Sequence, residues 1–277
     1  MGEATSLSDE SFEFVRDLIH QQAALVLEPH KAYLVVSRLA SLARSEGAPS
    51  VDAFLKKLRG QRVGLLHGKI VEAMTTNETL FFRDPPAFDA LRLQVIPQLI
   101  KQRSTQKSLN IWSAASSTGQ EPYSLALMFR EFFPELSSWD IRIFATDVSN
   151  EVLEVAKKGQ FSQIEVNRGL PATLLVKYFR KVGTRWLIRD DIRQMVTFAP
   201  CNLADRWPSM PQFDLILLRN VLIYFNLATK RSIIARAYRG LKRDGVLLLG
   251  NGETMINIDA GFERMTYNKA VYYTPKG

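Results

Sequence analysis

Two acidic residues, Glu121 and Asp147, follow apolar runs at the positions where an α/β protein meets its ligands. Glu121 lies in Ile111-Trp-Ser-Ala-Ala-Ser-Ser-Thr-Gly-Gln-Glu-Pro-Tyr-Ser, whose residues 113–119 are all small. Small side chains let a ligand approach the backbone closely, and Pro122 suits the first turn of a following helix. The run contains neither G-x-G-x-x-G nor Gly-Lys-Ser/Thr, so it serves neither a dinucleotide pyrophosphate nor a triphosphate well. A carboxylate there repels phosphate and suits a cation such as the ammonium or sulfonium of S-adenosylmethionine. Asp147 closes Phe144-Ala-Thr-Asp, 28 residues after Gly119, near where nucleoside-binding folds place an acid for the two ribose hydroxyls. Taken singly, Asp147 also reads as a helix cap and Glu121 as a charge at a helix N-terminus. Together, in register with two strands, they favour a nucleoside ligand.

Other chemistries find less support. His20, His30 and His67 all fall in the first hundred residues, with no cysteine or paired acid at metal-ligand spacing. Pro200-Cys201 is similar to the nucleophile motif of cytosine-carbon methyltransferases but follows the third strand, and a small buried thiol is the better reading. Asp84-Pro-Pro-Ala-Phe resembles the Asp-Pro-Pro-Tyr of amino-group methyltransferases but precedes the first strand. It is expected to end one helix and start another.

The elements that must position these residues change character along the chain. The first hundred residues show apolar positions at helical spacing: Phe12, Val15, Leu18 and Ile19 after a capping Ser8; Leu34, Val35, Leu39 and Leu42 before Gly47; Phe54, Leu55 and Leu58 after Ser50. From Leu109, short apolar runs at 109–115, 141–147, 195–200, 213–219 and 245–250 alternate with helical stretches, the pattern of a parallel sheet with crossover helices. The rhythm breaks between 161 and 197, where Thr184-Arg-Trp-Leu-Ile-Arg predicts a short antiparallel pair, and 262–273 predicts a hairpin on the sheet edge. The expected organisation is a helical domain over 1–75, a connecting helical segment over 76–108, and an α/β Rossmann-like domain over 109–277 with a β insertion at about 162–197.

The formal charge is +8, concentrated as a net +5 over 28–70 and a net +4 over 151–200. A basic surface speeds encounter with any acidic partner, phosphate or carboxylate-rich helix alike. The N-terminus lacks a secretion signal, a single cysteine permits no internal disulfide, and apolar runs such as 215–218 and 246–249 are far too short to span a bilayer, so a cytoplasmic protein without membrane insertion is expected.

Four segments then converge. Thr75-Thr-Asn-Glu-Thr-Leu-Phe-Phe-Arg-Asp, the 113–124 loop, Ala145-Thr-Asp and Arg219-Asn-Val-Leu-Ile-Tyr-Phe resemble, in order and over essentially the whole chain, the CheR family of bacterial chemoreceptor glutamate methyltransferases. That resemblance implies an α/β S-adenosylmethionine-dependent methyltransferase fold with a small antiparallel β insertion and an all-α N-terminal domain. It implies cofactor contacts from Asn77, Thr79, Arg83, Glu121, Asp147, Asn202, Leu203, Arg219 and Asn220, with S-adenosylhomocysteine as product and Tyr224 beside the reacting methyl.

A glutamate carboxylate is already ionised at neutral pH and needs no general base. Its charge and that of the sulfonium cancel as the transition state forms, so a drier site and good positioning favour reaction. Arg83 could hold the acceptor carboxylate in two-pronged fashion, for orientation and not activation. The basic second helix, with Lys31, Arg38 and Arg44, is expected to dock the acidic helices of a membrane receptor array. The resemblance implies that some family members hold a receptor's C-terminal peptide on the inserted strands; the turn between Lys181 and Trp186 is only Val-Gly-Thr-Arg, shorter than in those members, so no such tether is expected. A nucleic-acid methyltransferase is the alternative, which explains the basic charge but leaves 77–83 without a purpose; a non-catalytic descendant is a third reading.

Overall fold

A computed structural model describes residues 7–258 and 261–276. In chain order the elements are α1 (Asp9–Ala23), α2 (Ala32–Ser45), α3 (Val51–Leu58), α4 (Leu65–Met74), α5 (Pro85–Ala90), α6 (Ile96–Gln102), β1 (Ser108–Ala114), α7 (Gln120–Phe132), β2 (Asp140–Asp147), α8 (Asn150–Lys158), β3 (Gln160–Phe161), α9 (Gln163–Asn167), α10 (Ala172–Tyr178), β4 (Phe179–Val182), β5 (Arg185–Ile188), α11 (Asp190–Arg193), β6 (Val196–Pro200), β7 (Phe213–Leu218), α12 (Leu227–Gly240), β8 (Leu241–Leu249), β9 (Phe262–Tyr267) and β10 (Ala270–Pro275). Contacts divide the chain into two compact units, Met1–Thr76 with Tyr224–Thr229, and Asn77–Ile223 with Lys230–Gly277.

In the helical unit, capping follows the sequence signals. Ser8 Oγ accepts from Ser11 N, Ser50 Oγ accepts from Ala53 N, and Gly47 takes φ 69° just past α2. The Asp52 carboxylate accepts from Ser8 N (3.0 Å) and Ser8 Oγ (2.6 Å), joining the start of α3 to the start of α1. Val35 and Leu39 of α2 pack inward with Val15, Leu55 and Ile70, all fully or almost fully buried.

The basic side chains on or beside α2 do not all face outward as expected. Lys31 precedes the helix and pairs with Glu28 at 2.8 Å. Arg38 is half-buried and donates to the carbonyls of Met74 (2.5 Å) and Thr75 (3.2 Å) and to Thr76 Oγ1 (2.9 Å). A guanidinium there satisfies carbonyls that the end of α4 leaves without intrahelical donors. Arg38, one of the three cations expected to dock an acidic partner, is thus engaged in holding the helical unit together. Arg44 is exposed, with no ion pair recorded among the described residues.

The second unit is built on a seven-stranded sheet of order β6-β2-β1-β7-β8-β10-β9, parallel except for the C-terminal hairpin. The strand order reverses between β1 and β7, which puts a crevice beyond their carboxyl ends. Strands β3, β5 and β4 form a separate antiparallel sheet, the anticipated insertion. Residues 75–83 are not helical, so Asp84-Pro85-Pro86 starts α5 without ending a helix, correcting half of that expectation. Asp84 is left-handed at φ 59° and the prolines fill the first turn, where their missing N–H groups cost nothing.

Candidate functional site

The loop after β1 is shaped by three left-handed residues, Ala115 (φ 57°), Ser117 (φ 50°) and Gly119 (φ 95°). Such angles are unfavourable for side-chain-bearing residues and persist only where surroundings over-determine them. Here Ser117 N donates to Asp147 Oδ2 (2.9 Å), Ser117 Oγ to the Asn77 carbonyl (2.8 Å), and Ser116 N to the Thr146 carbonyl (2.9 Å). Asp147 also accepts from Ser149 N (3.1 Å), so this buried acid joins the turns after β1 and β2. It is not the cap of α8; Ser149 is.

Beyond β7, Arg219 is the charge around which the site is built. Its side chain is 1% exposed and pairs through Nη1 with Glu121 Oε2 (2.8 Å) and through Nη2 with Asp84 Oδ2 (2.7 Å). Nη2 also donates to the Arg83 carbonyl (2.7 Å), while Glu121 Oε1 accepts from Ser113 Oγ (2.8 Å). One buried guanidinium thus fastens the end of β1, the start of α7 and the 77–84 segment to the end of β7. Its Nε is buried without a hydrogen-bond partner.

The 77–83 segment is anchored by its apolar side. Phe81, fully buried, meets Phe161 and Phe179 edge to face at 5.0 and 5.9 Å between centroids, and Phe82 N donates to Ser124 Oγ (2.9 Å). Gly169 sits so close that an added Cβ would lie 2.0 Å from the Phe81 carbonyl oxygen, and its φ of 86° also demands glycine. Glu78 pairs with Arg168 at 2.9 Å, and Arg83 Nη1 donates to the Glu78 carbonyl (3.1 Å). Asn77 is exposed and Thr79 half-buried.

The remaining expected residues fall in three places. Asn202 Oδ1 accepts from Ala204 N (3.0 Å), and Leu203 is buried just after β6. Asn220 follows Arg219 with φ 56°. Tyr224 groups by its contacts with the helical unit, where its carbonyl accepts from Val26 N (2.9 Å). Cys201 is buried, and burial pushes its thiol up to about 11, which fits the inert packing role expected of it. Two residues escaped the sequence reading: Asp84, the second carboxylate on Arg219, and Glu253, which accepts from three backbone N–H groups.

This donor set fits a cationic nucleoside. Two carboxylates, Glu121 and Asp84, meet the single guanidinium of Arg219, a local excess of negative charge that suits a sulfonium better than a phosphate. Ser116 Oγ, buried in the loop without a protein partner, and the Asp147 carboxylate suit hydroxyl groups. Comparison with known families and proteins decides the matter. The model for the SAM binding domain of CheR methyltransferases matches residues 77–271, and that for their all-alpha domain matches 10–75.

The chain belongs to the CheR methyltransferase family.

Chemotaxis protein methyltransferase 1 of Pseudomonas aeruginosa is 38% identical over 276 residues, spanning 98% of this chain and 100% of that protein. A chemotaxis protein methyltransferase of Pseudomonas putida is 36% identical over 277 residues, spanning 98% and 100%. One from Vibrio parahaemolyticus is 34% identical over 281 residues, spanning 99% of each. S-adenosylmethionine is accordingly the cofactor of this CheR chain, and methyl transfer its activity. Among the described residues no group of histidine, cysteine and acidic side chains could hold a metal ion, and no helix is long and apolar enough to cross a membrane.

Proposed function

We propose that this chain transfers methyl groups to glutamate side chains on the cytoplasmic helices of chemotaxis receptors, forming methyl esters that adapt the sensory signal. The observation that carries the reading is the charge inventory of the crevice. The side chains gathered on Arg219 are carboxylates, and all three histidines lie in the helical unit, so no histidine of the second unit stands ready to deprotonate an acceptor. An acceptor that arrives already ionised, as a glutamate does, needs none. The relatives described above, chemotaxis protein methyltransferases, support the same acceptor pathway.

In this reading Asn77, Thr79, Glu121, Asp147, Asn202, Leu203, Arg219 and Asn220 bind the cofactor, which when bound supplies an electrophilic methyl on a sulfonium. Arg83 contributes to that binding and orients the acceptor carboxylate, keeping most of its donors beyond the single bond to the Glu78 carbonyl. Tyr224 borders the methyl channel. Arg44 steers the acidic receptor helices, no receptor C-terminal tether is needed, and the enzyme works in the cytoplasm at receptor arrays.

The test is transfer of labelled methyl from S-adenosylmethionine to a purified receptor cytoplasmic fragment, with Arg83→Ala alongside, followed by mild alkali. Alkali-labile label, lost in the variant, is expected. Alkali-stable label, or label on RNA alone, would overturn the acceptor.

A further inference from the structure

Glu253 lies four residues beyond β8, and its carboxylate is spent entirely on backbone. Oε2 accepts from Asn220 N (2.7 Å) and Gly250 N (2.8 Å), and Oε1 accepts from Leu222 N (2.7 Å). No lysine or arginine pairs with it among the described residues. A carboxylate only accepts, so it suits three converging N–H donors as no neutral side chain of that size does.

The donors belong to the turns that leave the adjacent strands β7 and β8. Asn220 is held at φ 56°, in the left-handed region that asparagine enters more readily than most side-chain-bearing residues. The two turns approach so closely that a Cβ on Gly250 would lie 2.7 Å from Asn220 Nδ2, 2.7 Å from Glu253 Oε2 and 2.8 Å from Asn220 N. Gly250 leaves room for the carboxylate to bridge the turns, and the bridge fixes the backbone that carries both Arg219 and Asn220.

We infer that Glu253 is a positioning residue of the methyl-transfer site, locking Asn220 into the left-handed conformation from which its side chain engages the cofactor. The inference rests on the assignment of Asn220 to the cofactor. Glu253 itself touches neither cofactor nor acceptor; it acts through the turn it holds.

Glu253→Gln keeps the size of the side chain but turns one acceptor into a donor facing N–H groups, while Glu253→Ala removes the bridge. The experiment is calorimetric binding of S-adenosylhomocysteine to the full chain, well below each variant's Tm, with amide hydrogen exchange at Asn220 and Leu222. Affinity is expected to fall about tenfold in Glu253→Gln and further in Glu253→Ala, with faster exchange at both amides. KM for a receptor fragment should move less than about twofold, because the change is confined to the cofactor side. Folded variants that bind within about twofold of the parent protein would overturn the inference and leave Glu253 a purely structural bridge. No acceptor takes part in the binding measurement, so failure of the glutamate assignment would not register in it.

Discussion

Strand β7 separates two buried arginine clusters, and they are built differently. At its start, Asp214 is fully buried and receives Arg103 Nε (2.6 Å), Lys242 Nζ (2.9 and 3.1 Å) and Asn110 N (2.8 Å). The other nitrogens of Arg103 grip Asp244 with both prongs, at 2.7 and 2.5 Å. One residue past the end of β7, Arg219 divides its two terminal nitrogens between two carboxylates and a carbonyl and leaves Nε unpaired. The first cluster is closed, with each nitrogen of the arginine matched to a carboxylate oxygen. The second is open, at the carboxyl end of a parallel sheet where ligands bind. A fully satisfied buried network rigidifies its surroundings, whereas the unpaired Nε of Arg219 leaves a donor unspent.

The comparison predicts different damage from the same substitution. Arg103→Ala strands Asp214 with Lys242 as its remaining cation and should cost about 3 kcal/mol in urea unfolding. S-adenosylhomocysteine affinity should stay within about twofold of the parent. Arg219→Ala leaves Glu121 and Asp84 unneutralised and frees the 77–84 segment, and kcat/KM should fall about hundredfold, ~3 kcal/mol. Arg219→Lys recovers little, since an ammonium lacks the planar fork that reaches both carboxylates. A loss of cofactor affinity in Arg103→Ala equal to that in Arg219→Ala would erase the distinction.

A smaller, pH-dependent effect sharpens the closed cluster. The bidentate hydrogen bonds from Arg103 hold the Asp244 carboxyl below its ordinary value. A carboxylate depressed in the folded state contributes stability above the unfolded value, near 3.9, and loses it as pH falls through the folded value. The stability gap between the parent protein and Arg103→Ala should therefore narrow as pH drops below about 4, read from urea unfolding across a pH series. A gap that stayed constant would place the effect of Arg103 in packing alone.

What could be read from sequence follows from what is local. Strands β1, β2, β6 and β7 announce themselves as apolar runs, Glu121 and Asp147 stand out because they follow such runs, and Arg219 is marked only by the family resemblance. β8 begins at Leu241, earlier than its apolar run, because Lys242, Arg243 and Asp244 break the pattern and the register shifts between β7 and β8 there. Asp84 was invisible as a partner because Arg219 is 135 residues away, and Glu253 because its bonds to Asn220 and Leu222 run to backbone, which carries no sequence signal. Arg38 looked like one of a row of solvated cations for a related reason. A basic helix face does not tell which guanidinium reaches back to a helix end 36 residues on.

Arg44 completes the series as an arginine with no internal task, and it isolates the smallest effect. Reversing Arg38 would break the end of α4 and confound any measurement of docking, whereas Arg44 is exposed and outside the hydrogen bonds that hold the helical unit. If the face of α2 steers acidic receptor helices, Arg44→Glu should raise KM for a receptor fragment about two- to fivefold, the range of one or two exposed ion pairs. The difference should shrink as salt approaches about 0.5 M, because screening removes steering that depends on exposed charge. S-adenosylhomocysteine affinity and unfolding midpoint should not move. A KM insensitive to both the charge reversal and salt would remove α2 from the receptor interface while leaving the roles of Arg103 and Arg219 intact.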